Sequence, residues 1–264
     1  MTETPVLLTR EGPVARLTLN RPQRRNAMNN AMGAALDAAL DTLAADTEAR
    51  VVILSGAGGH FCAGLDLSEV GASGATDAER LAAQQARNHR TGQRFVRLSN
   101  LPQVVIAAIQ GSAHAGGLGW VCSADFAIAT ADARFCAPEV RRGLVPAQIL
   151  PWLVRRMGRS AAMRMTLRGD VIDAAEAARL GLVHQVVPDA AALDATVAAI
   201  VADLRQGAPM ALAETKKLIA ALGPLSPEGY AEAGAQAFAT CAAGPEAKEG
   251  IAAFQEKRAP RWAT

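Results

Sequence analysis

Apolar and polar positions alternate in two short runs at the N-terminus, in PVLLTREGPVARLTLN, on either side of Glu11-Gly12. This pattern predicts two strands joined by a tight turn. The polar stretch RPQRRNAMNN separates them from AMGAALDAALDTLAAD, where Met32, Ala35, Leu36, Ala39, Leu40 and Leu43 recur at helical spacing. That spacing predicts a helix with one buried face. VVILSGAG, from Val51, and VVIAAIQG, from Val104, are continuous apolar runs rich in β-branched residues and closed by glycine. They read as strands buried on both faces. DFAIATADARFCAPE predicts two more short strands around a turn at Ala131-Asp132.

From about Pro146 the pattern becomes almost wholly helical. Pro151 starts or kinks a helix, and SAAMRMTLRG ends it at Gly169, a residue suited to the C′ position. Asp173 is placed to cap DAAEAARLG, with Glu176 completing a capping box and Gly181 closing the helix. VHQVVP reads as a last short strand, and helices are expected near 200, 215, 235 and 250. The small, polar segment GASGATDAE, 71–79, is the expected mobile loop. Strand and helix alternate through the first two thirds, which places the chain in the α/β class.

Length allows one large domain, or one domain with a helical appendage, in 264 residues. Half of them are hydrophobic and 20% are charged, as in an ordinary soluble protein. A formal charge of +2 excludes a strongly basic nucleic-acid or membrane-surface binder. No apolar run reaches the ~18 residues of a membrane span. MTETPVLLTREG lacks the basic start and apolar stretch of a signal peptide. Cys62, Cys122, Cys136 and Cys241 are far apart and form no CxxC, so a reducing cytoplasm is the expected location. His60, His89 and His184 have no metal-ligand spacing, and no metal is expected.

Two strand-to-loop turns carry candidate chemistry. FCAGLDL, Phe61 to Leu67, follows the first buried strand, and AGGLGWV follows the second. Small residues let a backbone approach a ligand closely. Gly116-Gly117 is expected to open a helix whose first N–H groups have no partner within it. Such groups can hold an anion or a developing oxyanion.

The chain resembles the crotonase, or enoyl-CoA hydratase/isomerase, superfamily over nearly its whole length. The resemblance rests on LTLNRPQRRNAM, VVILSGAGGHFCAGLDL, VVIAAIQGSAHAGGLGWVCSADFAIA, ARFCAPEVRRGLVP and AARLGLVHQVVP, in that order. It implies a spiral of ββα turns over 1–200, with a helical oligomerisation region over 201–264. It also implies an acyl-CoA substrate, a homotrimer or homohexamer, and no cofactor beyond the CoA of the substrate. The thioester carbonyl would sit between the backbone N–H groups of Leu65 and Gly116, each worth roughly 3–4 kcal/mol to an enolate oxyanion. Gly64 and Gly117 belong to the same turns, and Asp66 would brace the first. Arg24, Arg25 and Ala27 match the segment beside the CoA adenine and phosphates, and Ala63 the residue offering backbone groups to the adenine. Phe254 and Lys257 match a C-terminal segment that reaches a neighbouring subunit's CoA. His114, just before the glycine pair, would line the pocket.

One departure matters. Two-carboxylate hydratases of the family carry a glutamate on the helix opened by the glycine pair, where this chain has Gly119. The second carboxylate, in a PE pair, is present as Glu139. One carboxylate suffices if it takes a proton from water and returns one to the α-carbon on the same face. Burial among Phe135, Val140 and Leu144 is expected to raise its pKa and suit both roles. PEVRRGLVPAQILPWL is similar to methylglutaconyl-CoA and isohexenylglutaconyl-CoA hydratase-type members, in which Arg141 or Arg142 would face a substrate carboxylate. The alternatives are an enoyl-CoA delta isomerase, moving a proton with the same carboxylate, and a non-catalytic acyl-CoA binder.

Overall fold

The structure is a computed structural model, which describes residues 4–66, 68, 76–222 and 244–263. Among the described residues its larger sheet has six strands, in the order Val6–Glu11, Val14–Leu19, Val51–Gly56, Val104–Ile109, Phe126–Thr130 and Gln185–Val187. β1 (Val6–Glu11) and β2 (Val14–Leu19) form the expected antiparallel pair, with Glu11 opposite Val14 and Gly12 at φ 56° in the turn. β3 (Val51–Gly56), β4 (Val104–Ile109), β6 (Phe126–Thr130) and β9 (Gln185–Val187) add on in parallel. Alternate residues of a strand face opposite ways. On β3, Val52 and Leu54 enter the main core, while Val51 and Ile53 meet Leu193 and Val197 across the other face. Burial on both sides is why these strands are apolar throughout.

The second sheet is short, and it frames the site. β5 (Ser112–His114) pairs in parallel with β7 (Arg134–Cys136), and β7 pairs antiparallel with β8 (Val171–Asp173). β6 and β7 therefore flank one turn, as the sequence predicts, but enter different sheets. The turn acts as a corner between layers.

α1 (Asn30–Ala45) buries Met32, Leu36, Ala39, Leu40 and Leu43, and Asn29 caps it by accepting from the Met32 N–H at 2.9 Å. α2 (Asp77–Ser99) follows, then α3 (Gly116–Ser123) and α4 (Leu150–Arg168). α4 carries Pro151 in its first turn and is closed by Gly169 at φ 56°, but Gly158 at φ 77° interrupts it. α5 (Ala174–Arg179), α6 (Ala190–Leu204), α7 (Pro209–Ala221) and α8 (Pro245–Glu256) complete the described chain. The helix expected near 235 lies outside the described residues.

Three details differ from expectation. Among the described side chains of α2, Phe95 and Leu98 are the fully buried apolar ones on a mostly polar helix. Its start is marked by a full capping box, Thr76 with Glu79. Thr76–Glu79, read from sequence as loop, is thus the cap and first turn of a helix, while 71–75 lie outside the described residues. Asp173 caps α5 by accepting from the Glu176 N–H at 2.8 Å, but Glu176 turns its carboxylate to Arg179 and Arg164 instead of completing a box. β8 itself was not legible, since a three-residue strand of alternating exposure has too little pattern to read.

Candidate active site

Three parallel segments end at one edge of the small sheet. Cys62 forms a parallel bridge to Ala113, and β5 to β7 pairs Ala113 with Phe135 and His114 with Cys136. The ladder is closed by Cys62 N–H to Ser112 O at 2.9 Å, His114 N–H to Cys62 O at 2.9 Å and Ala115 N–H to Cys136 O at 2.8 Å. The chain leaving each segment supplies one part of the site. After Cys62 come Gly64 and Leu65, after His114 come Ala115 and Gly116, and after Cys136 comes Glu139.

The two glycine turns touch. A Cβ on Gly64, at φ 90°, would stand 2.7 Å from the Ala115 Cβ and 3.3 Å from the Gly116 nitrogen. Only a glycine allows that approach. Met28 donates to Gly64 O at 2.7 Å and accepts from Asp66 N–H at 2.9 Å, so the N–H of the residue between, Leu65, points away from Met28. Ala115 sits at φ 50°, ψ −121°, a conformation that costs an alanine about 1–3 kcal/mol. It turns β5 directly into α3. Among the described residues, neither the Leu65 nor the Gly116 amide has an acceptor. The structure thus brings together the two predicted oxyanion donors.

Glu139 begins a 3-10 turn that runs to Arg142. Its Oε2 is buried without a hydrogen-bond partner. Burial pushes its pKa above the ordinary carboxylate value, against a weaker pull from the Arg142 charge. Phe135 is fully buried beneath this turn, but Leu144 is 47% exposed and does not enclose the carboxylate as expected. Arg141 donates from Nε to Arg168 O at 2.8 Å, tying the turn to the end of α4. Arg142 is exposed, and among the described residues it has no ion-pair partner. His114 repeats the pattern of Glu139, with Nε2 buried and unpartnered. Burial first, then Arg142, Arg25 and His60, lower its pKa, so the ring is neutral at pH 7.

Asp66 is a brace. Its Oδ2 pairs with Arg21 at 3.0 Å, and its Oδ1 accepts from Ser68 Oγ at 2.7 Å. The Ser68 hydrogen bond, with help from Arg21, holds this carboxyl below its ordinary value. With both oxygens occupied, Asp66 positions the loop and is not free to bind substrate.

Arg24 and Arg25 are exposed on a loop tied to the first glycine turn by Ala63 N–H to Arg25 O at 2.9 Å. Ala27 lends its carbonyl to Arg21 Nη1 at 2.5 Å. Sequence reasoning missed Asn26, which sets the loop's shape. It is fully buried at φ 57°, a left-handed conformation asparagine tolerates. Its Oδ1 accepts from Arg21 N–H at 2.8 Å, and its Nδ2 donates to Ala57 O at 2.9 Å and His60 O at 2.6 Å. An asparagine directly after two arginines was the available signal.

Lys257 is exposed and follows α8, while the side chain of Phe254 lies outside the described part of the structure. This C-terminal segment docks where Arg50 Nη1 donates to Trp262 O at 2.6 Å. Arg50 precedes β3, at the end of the strands opposite Leu65 and Gly116. The Trp262 end of the segment therefore lies against the start of β3.

The space a glutamate would need at Gly119 is filled. A Cβ there would lie 2.2 Å from Phe95 Cζ and 2.4 Å from its Cε2. The Phe95 ring packs edge-on against Trp120, with centroids 5.0 Å apart, and the Trp120 indole N–H meets Met28 Sδ at 2.9 Å. Even Gly119→Ala should therefore cost about 1–3 kcal/mol by overpacking. Urea unfolding should show this loss, and Gly119→Ala combined with Phe95→Leu should unfold closer to Phe95→Leu alone than additivity requires. An unchanged midpoint for Gly119→Ala would contradict the tight contact.

Known proteins share this sequence and fold. The Enoyl-CoA hydratase/isomerase family model matches residues 9–264. The solved structure of AtuE from Pseudomonas aeruginosa is 40% identical and covers 98% of this chain and 100% of its own, with a TM-score of 0.93. An enoyl-CoA hydratase/isomerase from Marinobacter aquaeolei is 37% identical, with a TM-score of 0.92 over 98% of this chain and 99% of its own. The 2,3-dehydroadipyl-CoA hydratase of Escherichia coli is 32% identical over 256 residues, 97% of each chain. Two backbone amides meeting at a glycine contact, a half-buried glutamate beside them and a family match across almost the entire length lead to one conclusion: the chain belongs to the enoyl-CoA hydratase/isomerase, or crotonase, family.

Proposed function

We infer that this protein hydrates a 2-enoyl-CoA thioester. The observation that carries the reading is the unpartnered, buried Glu139 Oε2 at the sheet edge where two free amides meet. The thioester oxygen would accept from the N–H groups of Leu65 and Gly116. Glu139 takes a proton from water as the oxygen bonds to the β-carbon. The π electrons move toward the carbonyl, and the resulting enolate is held by the two amides. Glu139 then returns a proton to the α-carbon. A carboxyl whose pKa is raised by burial is suited to both steps. The chemistry requires no cofactor beyond substrate CoA, whose phosphates would meet Arg24 and Arg25.

Glu139→Gln keeps the shape and removes the base. It should lower kcat by at least ~10²-fold on the best of a panel of enoyl-CoAs, with little change in binding. Mass spectrometry of the wild-type product should show the gain of one water, whereas an unchanged mass with a moved double bond would identify an isomerase. The same variant has a stability signature. Because the folded-state pKa of Glu139 is raised, the folded state holds the proton more tightly, and stability falls as pH rises from the ordinary value through the raised one. Glu139→Gln should therefore melt higher than wild type at pH 7 and equal to it near pH 3.

A finer reading concerns the acyl chain. Arg142 is exposed, unpaired among the described residues and electrostatically coupled to both Glu139 and His114. It is suited to hold a carboxylate on the far end of the substrate, and one relative is named for a dicarboxylic acyl-CoA. Arg142→Gln should raise KM about 10-fold or more for an enoyl-CoA with a terminal carboxylate and leave crotonyl-CoA within about twofold, a selective loss of roughly 1.4 kcal/mol. Equal effects on both substrates would remove this assignment.

The region 201–264 would serve oligomerisation in a trimer or hexamer, in a cytoplasmic protein. Ile219 on α7, Leu222 just after it and Ile251 on α8 are 50–60% exposed apolar residues that a subunit contact would cover. It would also carry Lys257 to a neighbouring CoA. Light scattering at micromolar concentration should give three or six times the chain mass, and a stable monomer would refute it.

A further inference from the structure

We propose that His114 is a second catalytic group, which holds the attacking water together with Glu139. The proposal rests on the hydratase reading above. It begins from two buried polar atoms, Glu139 Oε2 and His114 Nε2, which are left without partners at the same sheet edge. Such groups cost about 1–3 kcal/mol each when nothing meets them. A pair of them at one site is explained by something that arrives there.

Register places His114 beside Cys136, and Glu139 follows three residues after Cys136 at the same sheet edge. His114 is paired with Cys136 across the parallel ladder, and partners in register point to the same side. The Glu139 charge reaches the Cys136 thiol, where it adds to burial in raising the pKa. Arg142 acts on Glu139 and on His114 alike. The His114 backbone is held on both sides, by its own N–H to Cys62 O and by the following N–H of Ala115 to Cys136 O. The ring is thus carried on the segment that positions the Gly116 donor.

Burial, helped by the surrounding positive charges, keeps this ring neutral. Arg142 faces it from the 3-10 turn, Arg25 from the loop before α1 and His60 from the loop after β3, while the carboxylates Glu139 and Asp170 both act on the neighbouring Cys136. A neutral imidazole has one acceptor nitrogen. In the Nδ1–H tautomer Nε2 accepts. The water then gives one proton to Glu139 Oε2 and a hydrogen bond from the other to His114 Nε2, which leaves an oxygen lone pair aimed at the β-carbon. Glu139 alone transfers the proton, so atoms and charge balance as before. His114 supplies the second fixed contact on the water, a role that a side chain at Gly119 cannot fill because Phe95 occupies the space. Positioning a small nucleophile by two contacts instead of one lowers the entropic barrier.

The test uses three variants of the intact enzyme. Gln carries an acceptor oxygen near the place of Nε2, Asn carries it nearer Nδ1, and Leu removes it. His114→Leu should lower kcat at least about 10-fold with KM within about twofold, the mark of an interaction made in the transition state. His114→Gln should recover most of the rate and His114→Asn should not, with equal melting temperatures for the two. Wild-type kcat in His114→Leu would overturn the proposal, and so would equal rates for Gln and Asn. If His114→Leu fails to fold, the comparison of Gln with Asn decides alone. An inactive Glu139→Gln beside a fully active His114→Leu removes His114 and leaves the hydratase reading standing, while an active Glu139→Gln removes the reading itself.

Discussion

The site depends on one close approach, the contact between Gly64 and the Ala115-Gly116 turn. Any side chain at Gly64 would overlap Ala115 and the backbone of His114. Bringing two strand ends this near lets two amides from distant parts of the chain converge on one oxygen. The approach is enforced from both sides. Met28 binds the Gly64–Asp66 backbone from one direction, and the ladder Cys62, β5, β7 sets the register from the other. A slip of one residue would point the amides away from each other. Asp66 and Arg21 then lock the first turn, and Asn26 locks the loop beside it.

Several local features of the site are unfavourable for folding. Ala115 occupies a left-handed region that disfavours any side chain, and two buried polar atoms lack partners. The large, fully buried side chains beneath offset them. Trp120, Phe95 and Phe135 are each worth several kcal/mol of burial, and the edge-on Phe95–Trp120 contact fixes their positions. The same packing has a chemical consequence. Phe95 closes the space above Gly119, so the core that stabilises the GG helix also removes the place for a second carboxylate. Proton transfer is left to Glu139, which burial equips for it.

Much of this was legible in the sequence because it rests on local rules. Continuous apolar runs bounded by glycine read as β3 and β4, and these are buried on both faces. The six spaced positions of α1 read as one face, since a helix repeats its side every three to four residues. The glycine turns read as turns, and the lack of any acid between Gly111 and Ala124 was plain. The family was legible from five ordered motifs, and Glu139 and the Leu65 and Gly116 amides entered as what that resemblance implies.

What tertiary structure alone decided involves residues whose role comes from a distant partner. α2 is polar along most of its length, and Phe95 gains its meaning only from contact with Gly119, which a single chain read in order does not reveal. Asn26 looks like any loop asparagine until its amide meets Ala57 and His60 from another turn. β6 and β7 have the pattern of a hairpin, yet pairing with β4 and β9 on one side and with β5 and β8 on the other sends them into separate sheets. His114 reads from sequence only as a residue that would line the pocket, and its buried, unpartnered nitrogen emerges only when β5 lies beside β7. Periodicity and turn chemistry act over a few residues and are written in sequence. Which strand ends meet, and what fills the space between them, is settled by burial and pairing over the whole molecule.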